Sequence, residues 1–138
     1  GKITTFDYIP SDEAMFWGVI EDHNGPQTRL QLLKNYNSLL SKIIFIQGDT
    51  KIQAKKFCTN RVNFAFLDGG HGYDDVINDY NLVSGRQEKG DIVIFDDYTP
   101  SMFPEIVTAV DEICHKYQYN QQIIMGNKDR GYCIGIKK

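Results

Sequence analysis

Acidic residues follow two apolar segments of the sequence at the point where each segment ends. Asp68 follows the run at 62–67, and Asp96 and Asp97 follow the run at 92–95. Three carboxylates that converge repel one another unless a positive group joins them, and hard oxygen ligands favour Mg²⁺, Mn²⁺ or Ca²⁺. A divalent-cation site is therefore the sharpest chemical hypothesis these residues support. The residues leave open the alternative that all three are helix caps and solvated turn residues.

The elements that would bring these carboxylates together are two parallel strands joined by a helix. Both apolar runs are short and rich in branched and aromatic residues, as buried strands are. Asp74 and Asp75 suit the positive end of the intervening helix. Four apolar residues recur there at helical spacing: Val76, Ile77, Tyr80 and Val83. A right-handed crossover places both strand ends at one edge of the sheet, where open α/β sheets bind ligands.

The composition predicts one α/β domain over residues 1–138. The chain is 41% hydrophobic and 12% aromatic, which is enough to build a core. Its net charge is −3 and its lysines are scattered, so we expect no nucleic-acid partner. Its apolar runs are far shorter than the roughly twenty residues of a membrane span, and the first residues lack a signal-peptide pattern. A soluble, cytoplasmic protein without a membrane partner is expected.

The cysteines support a reducing compartment. Cys58, Cys114 and Cys133 are widely spaced, lie among apolar residues and form no CxxC pair. We predict that they are buried thiols. The three histidines have no ligand spacing with them that would indicate a zinc site.

Further strands and helices surround this central unit. The run at 3–6 predicts a strand that ends in Asp7, and residues 10–26 predict a loop with a small helix, in which Trp17 either packs the loop or lines a pocket. Apolar spacing predicts a helix over 28–40 with Thr28 as its cap, and a helix from Pro104 whose buried face runs to Tyr117.

The remaining segments complete the sheet. The run at 42–47 predicts a continuous buried strand that ends in Gly48 and Asp49. Thr50 is the predicted N-cap of a short helix to about Cys58, whose Ile52 and Phe57 should face the sheet. Two apolar runs at 122–125 and 132–136, joined by the turn-rich segment 126–131, predict an antiparallel pair.

From Lys2 onward the chain resembles the class I S-adenosylmethionine-dependent methyltransferases. It is most similar to the small-molecule O-methyltransferases whose fourth and fifth strands end in LDGxHxYxxVxxD and DDY. These motifs stand here at residues 67–79 and 96–98. The resemblance implies a Rossmann-like α/β sheet that is mostly parallel, with an antiparallel C-terminal strand pair whose last strand is inserted between the fifth and sixth.

The resemblance also implies roles for residues at the strand ends. Asp7 looks like the acid that accepts hydrogen bonds from the ribose of S-adenosylmethionine. The segment of Gly48, Asp49 and Thr50 looks like the part beside the adenine, and Asp68 also looks like a residue at the cofactor. The acceptor is then a hydroxyl of a small molecule.

For the catalytic step, the resemblance implies a cation-assisted reaction. Asp68, Asp96 and Asp97 are similar to the acids that bind a divalent cation such as Mg²⁺, which holds two substrate oxygens and lowers the pKa of the attacking hydroxyl. Asp68 and His71 are the implied catalytic residues, with His71 as a general base. A structural hydrogen bond in the turn is the alternative role for His71.

One departure from the family is large. The first strand and its glycine-rich loop are missing, and the chain opens on the second strand. Because the first strand lies between the second and fourth, its loss would leave two strand edges unpaired. We expect the C-terminal part of a longer enzyme. The alternatives are strands that close up or pair across a homo-oligomer, a non-catalytic or inactive Rossmann-like fragment, and another metal-dependent α/β hydrolase.

Overall fold

Two units make up the chain, and each contains its own pair of parallel strands. The structure, a computed structural model, describes residues 1–53, 57, 61–126 and 130–138. Its internal contacts separate Gly1–Lys56 from Phe57–Lys138. The single domain expected over residues 1–138 stays a prediction.

The first unit contains a two-stranded parallel sheet. Strand β1 is Ile3–Asp7 and strand β2 is Ile43–Gln47. They pair in register from Ile3 opposite Ile43 to Asp7 opposite Gln47, which confirms both predicted strands. The prediction that the second strand is buried throughout was wrong, because Ile44 is 50% exposed. A continuous apolar run suits a strand with neighbours on both sides, whereas β2 pairs with β1 alone among the described residues.

The helix predicted over residues 28–40 is broken into pieces. Helix α1 is Arg29–Leu32, a 3₁₀ turn is Lys34–Tyr36, and helix α2 is Asn37–Leu40. Thr28 caps α1 as predicted, since its hydroxyl accepts a hydrogen bond from the backbone of Gln31 at 3.2 Å. The break falls in the sequence NYNS, whose residues have low helix propensity.

A loop with a 3₁₀ turn at Ile20–Asn24 precedes α1, as the sequence predicted. Met15 and Gln27 form an isolated antiparallel bridge at its base. Trp17 donates its indole N–H to the Gln27 carbonyl at 2.7 Å. The tryptophan therefore packs the loop onto its own base.

The short helix after β2 differs from the prediction. Helix α3 is Thr50–Gln53, and residues 54–56 and 58 of the predicted helix lie outside the described residues. Asp49 caps the helix in place of Thr50, because its Oδ1 accepts from the Lys51 backbone N–H at 2.8 Å. Ile52 is 64% exposed and does not face a sheet. In so short a helix the acid before the first turn satisfies the free N–H groups better than the first helical residue can.

Four strands form the sheet of the second unit in the order β3-β4-β6-β5. They are β3 at Phe64–Leu67, β4 at Ile92–Phe95, β5 at Tyr119–Met125 and β6 at Gly131–Lys137. Strands β3 and β4 are parallel, and β6 runs antiparallel to both of its neighbours. The structure thus confirms the α/β fold with a mixed sheet and the insertion of the last strand between its two neighbours. Residues 127–129 of the predicted turn lie outside the described residues.

Two helices accompany this sheet. Helix α4 is Tyr73–Tyr80 and helix α5 is Pro104–Lys116, close to their predicted bounds. Both bury the apolar faces that the periodicity indicated; their buried apolar residues are Val76, Tyr80, Ile106, Ala109, Val110, Ile113 and Cys114. Within the described residues, no helix has the length and apolar character to cross a membrane.

The core of the second unit lies between these helices and one face of the sheet. Val93, Phe95 and Cys133 are at most 1% exposed. Tyr80 places its ring 6.3 Å from that of Phe95, centroid to centroid. Cys114 hydrogen-bonds with Cys133, and both are buried free thiols, as predicted. Cys58 lies outside the described residues.

A polar network joins the starts of β3 and β4. The Asp91 side chain is 6% exposed and accepts two hydrogen bonds from the Arg61 guanidinium, at 3.1 and 3.0 Å. Asn63 and the Glu88 backbone N–H donate to the same carboxylate. The hydrogen bonds from Arg61 lower the pKa of Asp91 to about 2. The network fixes the parallel strands at the end opposite their acidic residues.

Replacing Asp91 by Asn should lower the free energy of unfolding at pH 7 by about 1–3 kcal/mol, because it removes the charge that Arg61 neutralises. A depressed carboxyl pKa stabilises the fold above the unfolded value, 3.8, and this contribution is lost as the pH falls toward 2. Urea unfolding at several pH values should therefore show a difference between D91N and wild type that shrinks from pH 4 to pH 2. The exposed control E13Q should unfold like wild type, and equal stability of D91N at pH 7 would contradict the prediction.

Candidate functional site

The carboxyl ends of β3 and β4 form one acidic edge, as the βαβ pattern predicted. Leu67 lies opposite Phe95 in the strand register, and the Asp96 backbone N–H donates to the Leu67 carbonyl at 3.0 Å. Asp68 and Asp96 are therefore the next residues on two adjacent chains. A shallow pocket of about 300 Å³, including its open mouth, lies at this edge.

Asp68, His71 and Asp97 converge at the edge. One potential ligand atom from each of them lies within 4.8 Å of the others. His71 Nε2 is 3.2 Å from Asp97 Oδ2. Two carboxylate oxygens and an imidazole nitrogen at these separations form a donor set that fits a divalent cation.

Asp96 is the third acid that was predicted to bind the metal, and its side chain has other partners. Its side chain is 5% exposed, and its Oδ2 accepts from Arg130 Nη2 at 3.0 Å. Its Oδ1 accepts from the Asp97 backbone N–H at 2.8 Å. Asp97 itself has a φ of 54°, a left-handed conformation that aspartate tolerates better than most residues. This turn points the two adjacent carboxylates in different directions.

Partial desolvation is the main reason that the pKa of Asp68 lies above its usual range. The negative charges of Asp96 and Asp97 and a hydrogen bond with Asp96 raise it further, and Arg130 acts in the opposite direction. The acidic edge thus carries more negative charge than its surroundings compensate. A bound cation would relieve this repulsion.

Glycines let the segment after β3 pass close to α4. A Cβ atom at Gly70 would lie 2.5 Å from Asp75 Oδ2, and one at Gly69 would collide with the Asp79 carboxylate. His71 follows directly, and its ring lies 4.7 Å from that of Phe103, centroid to centroid. Close backbone packing and the Phe103 ring therefore fix the position of the imidazole.

Helix α5 holds the other side of this segment. The Tyr73 backbone N–H at the start of α4 donates to Glu105 Oε2 at 3.0 Å. The Tyr73 hydroxyl donates to Glu112 Oε2 at 2.6 Å. Glu105 therefore caps α4 from another helix and fixes the chain two residues after His71.

In the first unit, both carboxylate oxygens of Asp7 already have a partner within the protein. Its Oδ2 pairs with Arg29 Nη2, and its Oδ1 accepts from the Ile9 backbone N–H at 3.0 Å. The Arg29 guanidinium is buried and lies over the rings of Trp17, at 5.6 Å, and Phe45, at 5.1 Å. A carboxylate has about four acceptor positions, so Asp7 can accept further hydrogen bonds.

The end of β2 lies beside Asp7. The Gly48 backbone N–H donates to the Asp7 carbonyl at 2.9 Å, and Gly48 has a φ of 119° that favours glycine. The next residues are Asp49, which caps α3, and Thr50. The structure brings Asp7, Gly48, Asp49 and Thr50 to one edge of the first sheet. Asp68 belongs to the other unit.

Several residues of the site had no signal in the sequence. Arg29 lies in the helix predicted over 28–40, and its pairing with Asp7 was missed. Arg130 was assigned only to a turn. Phe103 and Glu105 lie beside Pro104, at the start of α5, and only the packing of α5 on α4 shows their role. A search for cations near the strand ends would have found Arg130, because β6 returns to the β4 end.

Comparison with known families gives a match over most of the chain. Residues 1–98 match a family model described as a methyltransferase domain. Over 55 residues the chain is 40% identical to the uncharacterised protein R132 of Acanthamoeba polyphaga mimivirus. That alignment covers 39% of this chain and 25% of R132.

Solved structures share the fold at low sequence identity. The O-methyltransferase NovP is 20% identical, with a TM-score of 0.68, and the match covers 99% of this chain and 60% of NovP. The O-methyltransferase TomG of Streptomyces achromogenes, involved in tomaymycin synthesis and solved with S-adenosylmethionine, is 10% identical, with a TM-score of 0.69. That match covers 100% of this chain and 62% of TomG. The chain thus spans about three fifths of the length of these enzymes.

Replacing Glu105 by Ala should remove the acceptor that caps α4 and lower the free energy of unfolding by about 1 kcal/mol. E105Q keeps a carbonyl oxygen for the Tyr73 N–H and should lose less than half as much. Urea unfolding of the two variants measures this difference. Equal losses for both would show that the charge of Glu105, and not its hydrogen bond, stabilises the helix.

Replacing Asp68 by Asn should raise the melting temperature of the metal-free protein at pH 7. A raised carboxyl pKa means that the ionised group destabilises the fold at every pH above its titration, and the amide removes this charge. The gain should stay below about 1 kcal/mol because Asp68 is exposed to solvent. Thermal melting in EDTA measures it, with D12N, an exposed acid of the first unit, as the control. A lower melting temperature for D68N would contradict the prediction.

Proposed function

This chain belongs to the methyltransferase domain family, and on that premise we propose that it is the C-terminal part of an S-adenosylmethionine-dependent O-methyltransferase. The proposed acceptor is a hydroxyl of a small molecule, and the proposed reaction is assisted by a divalent cation. The observation that carries the proposal is the convergence of Asp68, His71 and Asp97 at the edge of a methyltransferase sheet.

His71 is the proposed general base. In the transfer, the hydroxyl oxygen attacks the methyl carbon of the sulfonium, the carbon–sulfur bond breaks, and its electron pair returns to sulfur. The hydroxyl proton passes to a base, for which imidazole has a suitable ordinary pKa. Asp97 Oδ2, 3.2 Å from His71 Nε2, stabilises the imidazolium that forms. The Phe103 ring, tilted by 50° against the imidazole, keeps it in place.

Asp68 and Asp97 would hold the cation, with His71 or Asp96 as a further ligand. When bound, the cation would lower the pKa of the acceptor hydroxyl. In the alternative in which the imidazole is a ligand and not the base, the mixed donor set favours Mn²⁺ or Fe²⁺ over Mg²⁺, because imidazole suits transition metals and carboxylates suit all three. The raised pKa of Asp68 supports a site that gains from added positive charge.

The proposed cofactor site in the first unit consists of the strand-end residues Asp7, Gly48, Asp49 and Thr50. Asp7 keeps acceptor capacity for the two ribose hydroxyls while Arg29 holds it in place. Asp68 is the proposed cofactor contact from the second unit. TomG, which shares the fold, was solved with S-adenosylmethionine, and this supports the same cofactor here.

The acceptor and the surroundings of the enzyme are further parts of the proposal. The loops at 10–26 and after Tyr98 are proposed to select the acceptor. The buried free thiols Cys114 and Cys133 support a reducing, cytoplasmic location. A negative net charge argues against a nucleic-acid partner.

Strand β3 supports the proposal that the catalytic domain has a further strand. Among the strands that the structure describes, it pairs with β4 alone, and Phe64 and Phe66 are 59% and 50% exposed. Such an edge pairs with another strand, either from an upstream segment or from a second copy in a homo-oligomer. The enzymes that share the fold are longer than this chain, and this favours the upstream segment.

Calorimetric titration with S-adenosylhomocysteine tests the proposal. We expect binding by a version extended upstream to include the glycine-rich loop, and much weaker binding by the 138-residue chain. In the extended version, D7N should weaken binding by about tenfold or more, because it removes a charged acceptor of the ribose hydroxyls. The exposed control D12N should bind like wild type. If the extended version does not bind, the proposed function is wrong.

A further inference from the structure

Arg130 is the cation that the protein itself supplies to the acidic edge. Its Nη2 donates to Asp96 Oδ2 at 3.0 Å, and its Nε lies 3.5 Å from Asp97 Oδ1. One guanidinium thus contacts both acids of the pair.

Hydrogen bonds hold the backbone at Arg130 and Gly131. Its carbonyl accepts from the Gly126 N–H at 2.6 Å across the ends of β5 and β6. The next residue, Gly131, donates to the Thr99 hydroxyl at 3.1 Å and accepts from the Tyr98 backbone N–H at 2.9 Å. A Cβ atom at Gly131 would collide with the Tyr98 carbonyl, so only glycine fits this position. The backbone of Arg130, from which its side chain extends, is therefore fixed beside the end of β4.

The side chain of Arg130 is far less confined than its backbone. It is 58% exposed, whereas its partners Asp96 and Asp97 are 5% and 14% exposed. An exposed guanidinium on a long flexible stem can leave its partners at little cost, because water solvates it when it moves. The two carboxylates are confined, since Asp96 is buried and Asp97 is largely covered.

We propose that Arg130 is a tethered counter-cation that competes with the divalent cation for the carboxylates of the acidic edge and thereby sets the affinity for that cation. This inference rests on the proposed function, in which Asp68 and Asp97 hold the cation. In the metal-free protein Arg130 neutralises the Asp96 and Asp97 pair. When the cation binds, the guanidinium turns away from Asp97 into solvent while Asp96 remains within its reach.

The direction of the effect follows from charge. A positive group in contact with Asp97 repels an incoming divalent cation and occupies one oxygen of a candidate ligand. Two like charges a few ångströms apart at a protein surface interact by several kilocalories per mole before screening, and salt and solvent reduce this. Removing the charge of Arg130 should therefore tighten binding of the divalent cation by about tenfold or more at low salt.

Titration of the full 138-residue chain with Mn²⁺, followed by calorimetry and by the electron paramagnetic resonance signal of free Mn²⁺, tests the inference. R130Q should bind Mn²⁺ about tenfold more tightly than wild type, and R130K, which keeps the charge, should stay within about threefold of wild type. K89Q removes the same charge from an exposed position before β4 and should bind like wild type.

A second readout does not need the metal. In EDTA, R130Q should melt at a lower temperature than K89Q, because the Asp96 and Asp97 carboxylates then lack their cation. Added Mn²⁺ should raise the melting temperature of R130Q more than that of wild type. Both results are expected whether or not the chain binds S-adenosylhomocysteine.

The outcomes separate this inference from the proposed function. If wild type binds Mn²⁺ and R130Q binds it equally or less tightly, the inference is overturned and the cation-assisted enzyme stands. If wild type and R130Q both fail to bind Mn²⁺, the inference and the cation assistance are overturned together. If R130K tightens binding as much as R130Q, the geometry of the guanidinium and not its charge controls the site, which also overturns the inference.

Discussion

The parallel pairing of β3 and β4 is the constraint on which the candidate site depends. Because Leu67 lies opposite Phe95, the residues that follow each strand leave the sheet side by side. The buried network around Asp91 holds the opposite ends of the same strands and so fixes the register. A slip of one residue would turn Phe95 out of the core and separate Asp68 from Asp96. Core packing and site geometry therefore rest on one alignment.

That alignment concentrates negative charge, and the surrounding elements are arranged around it. The glycines after Asp68 bring the backbone against α4, Glu105 caps that helix, and Phe103 packs on His71. None of these contacts neutralises a carboxylate. Neutralisation comes from β6, which returns antiparallel to β4 and delivers Arg130 to the acidic edge. The inserted last strand thus contributes charge as well as hydrogen bonds to the sheet.

Features encoded by local pattern could be predicted from the sequence, and features that depend on distant contacts could not. The periodicity of α4 and α5 and the apolar runs of β3 and β4 identified the second unit and its acidic edge. The stretch at 28–40 was predicted as one helix because the prediction followed its apolar spacing and did not take account of the weak helix formers in its middle. Arg29 and Arg130 gave no local signal, since each acts on an acid far away in the chain.

Each described parallel strand ends in an acid, and the acids differ in how the protein compensates their charge. Asp7 has Arg29, Asp49 accepts from the backbone of its own helix, and Asp96 has Arg130. Asp68 instead lies beside two further carboxylates, and its pKa is raised. An acid kept at a cost to stability, when a neutral residue would fit, is typical of a functional site. The same electrostatic argument explains the role of Arg130. An acidic cluster that binds and releases a cation needs a positive side chain that neutralises part of its charge and can move away when the cation binds.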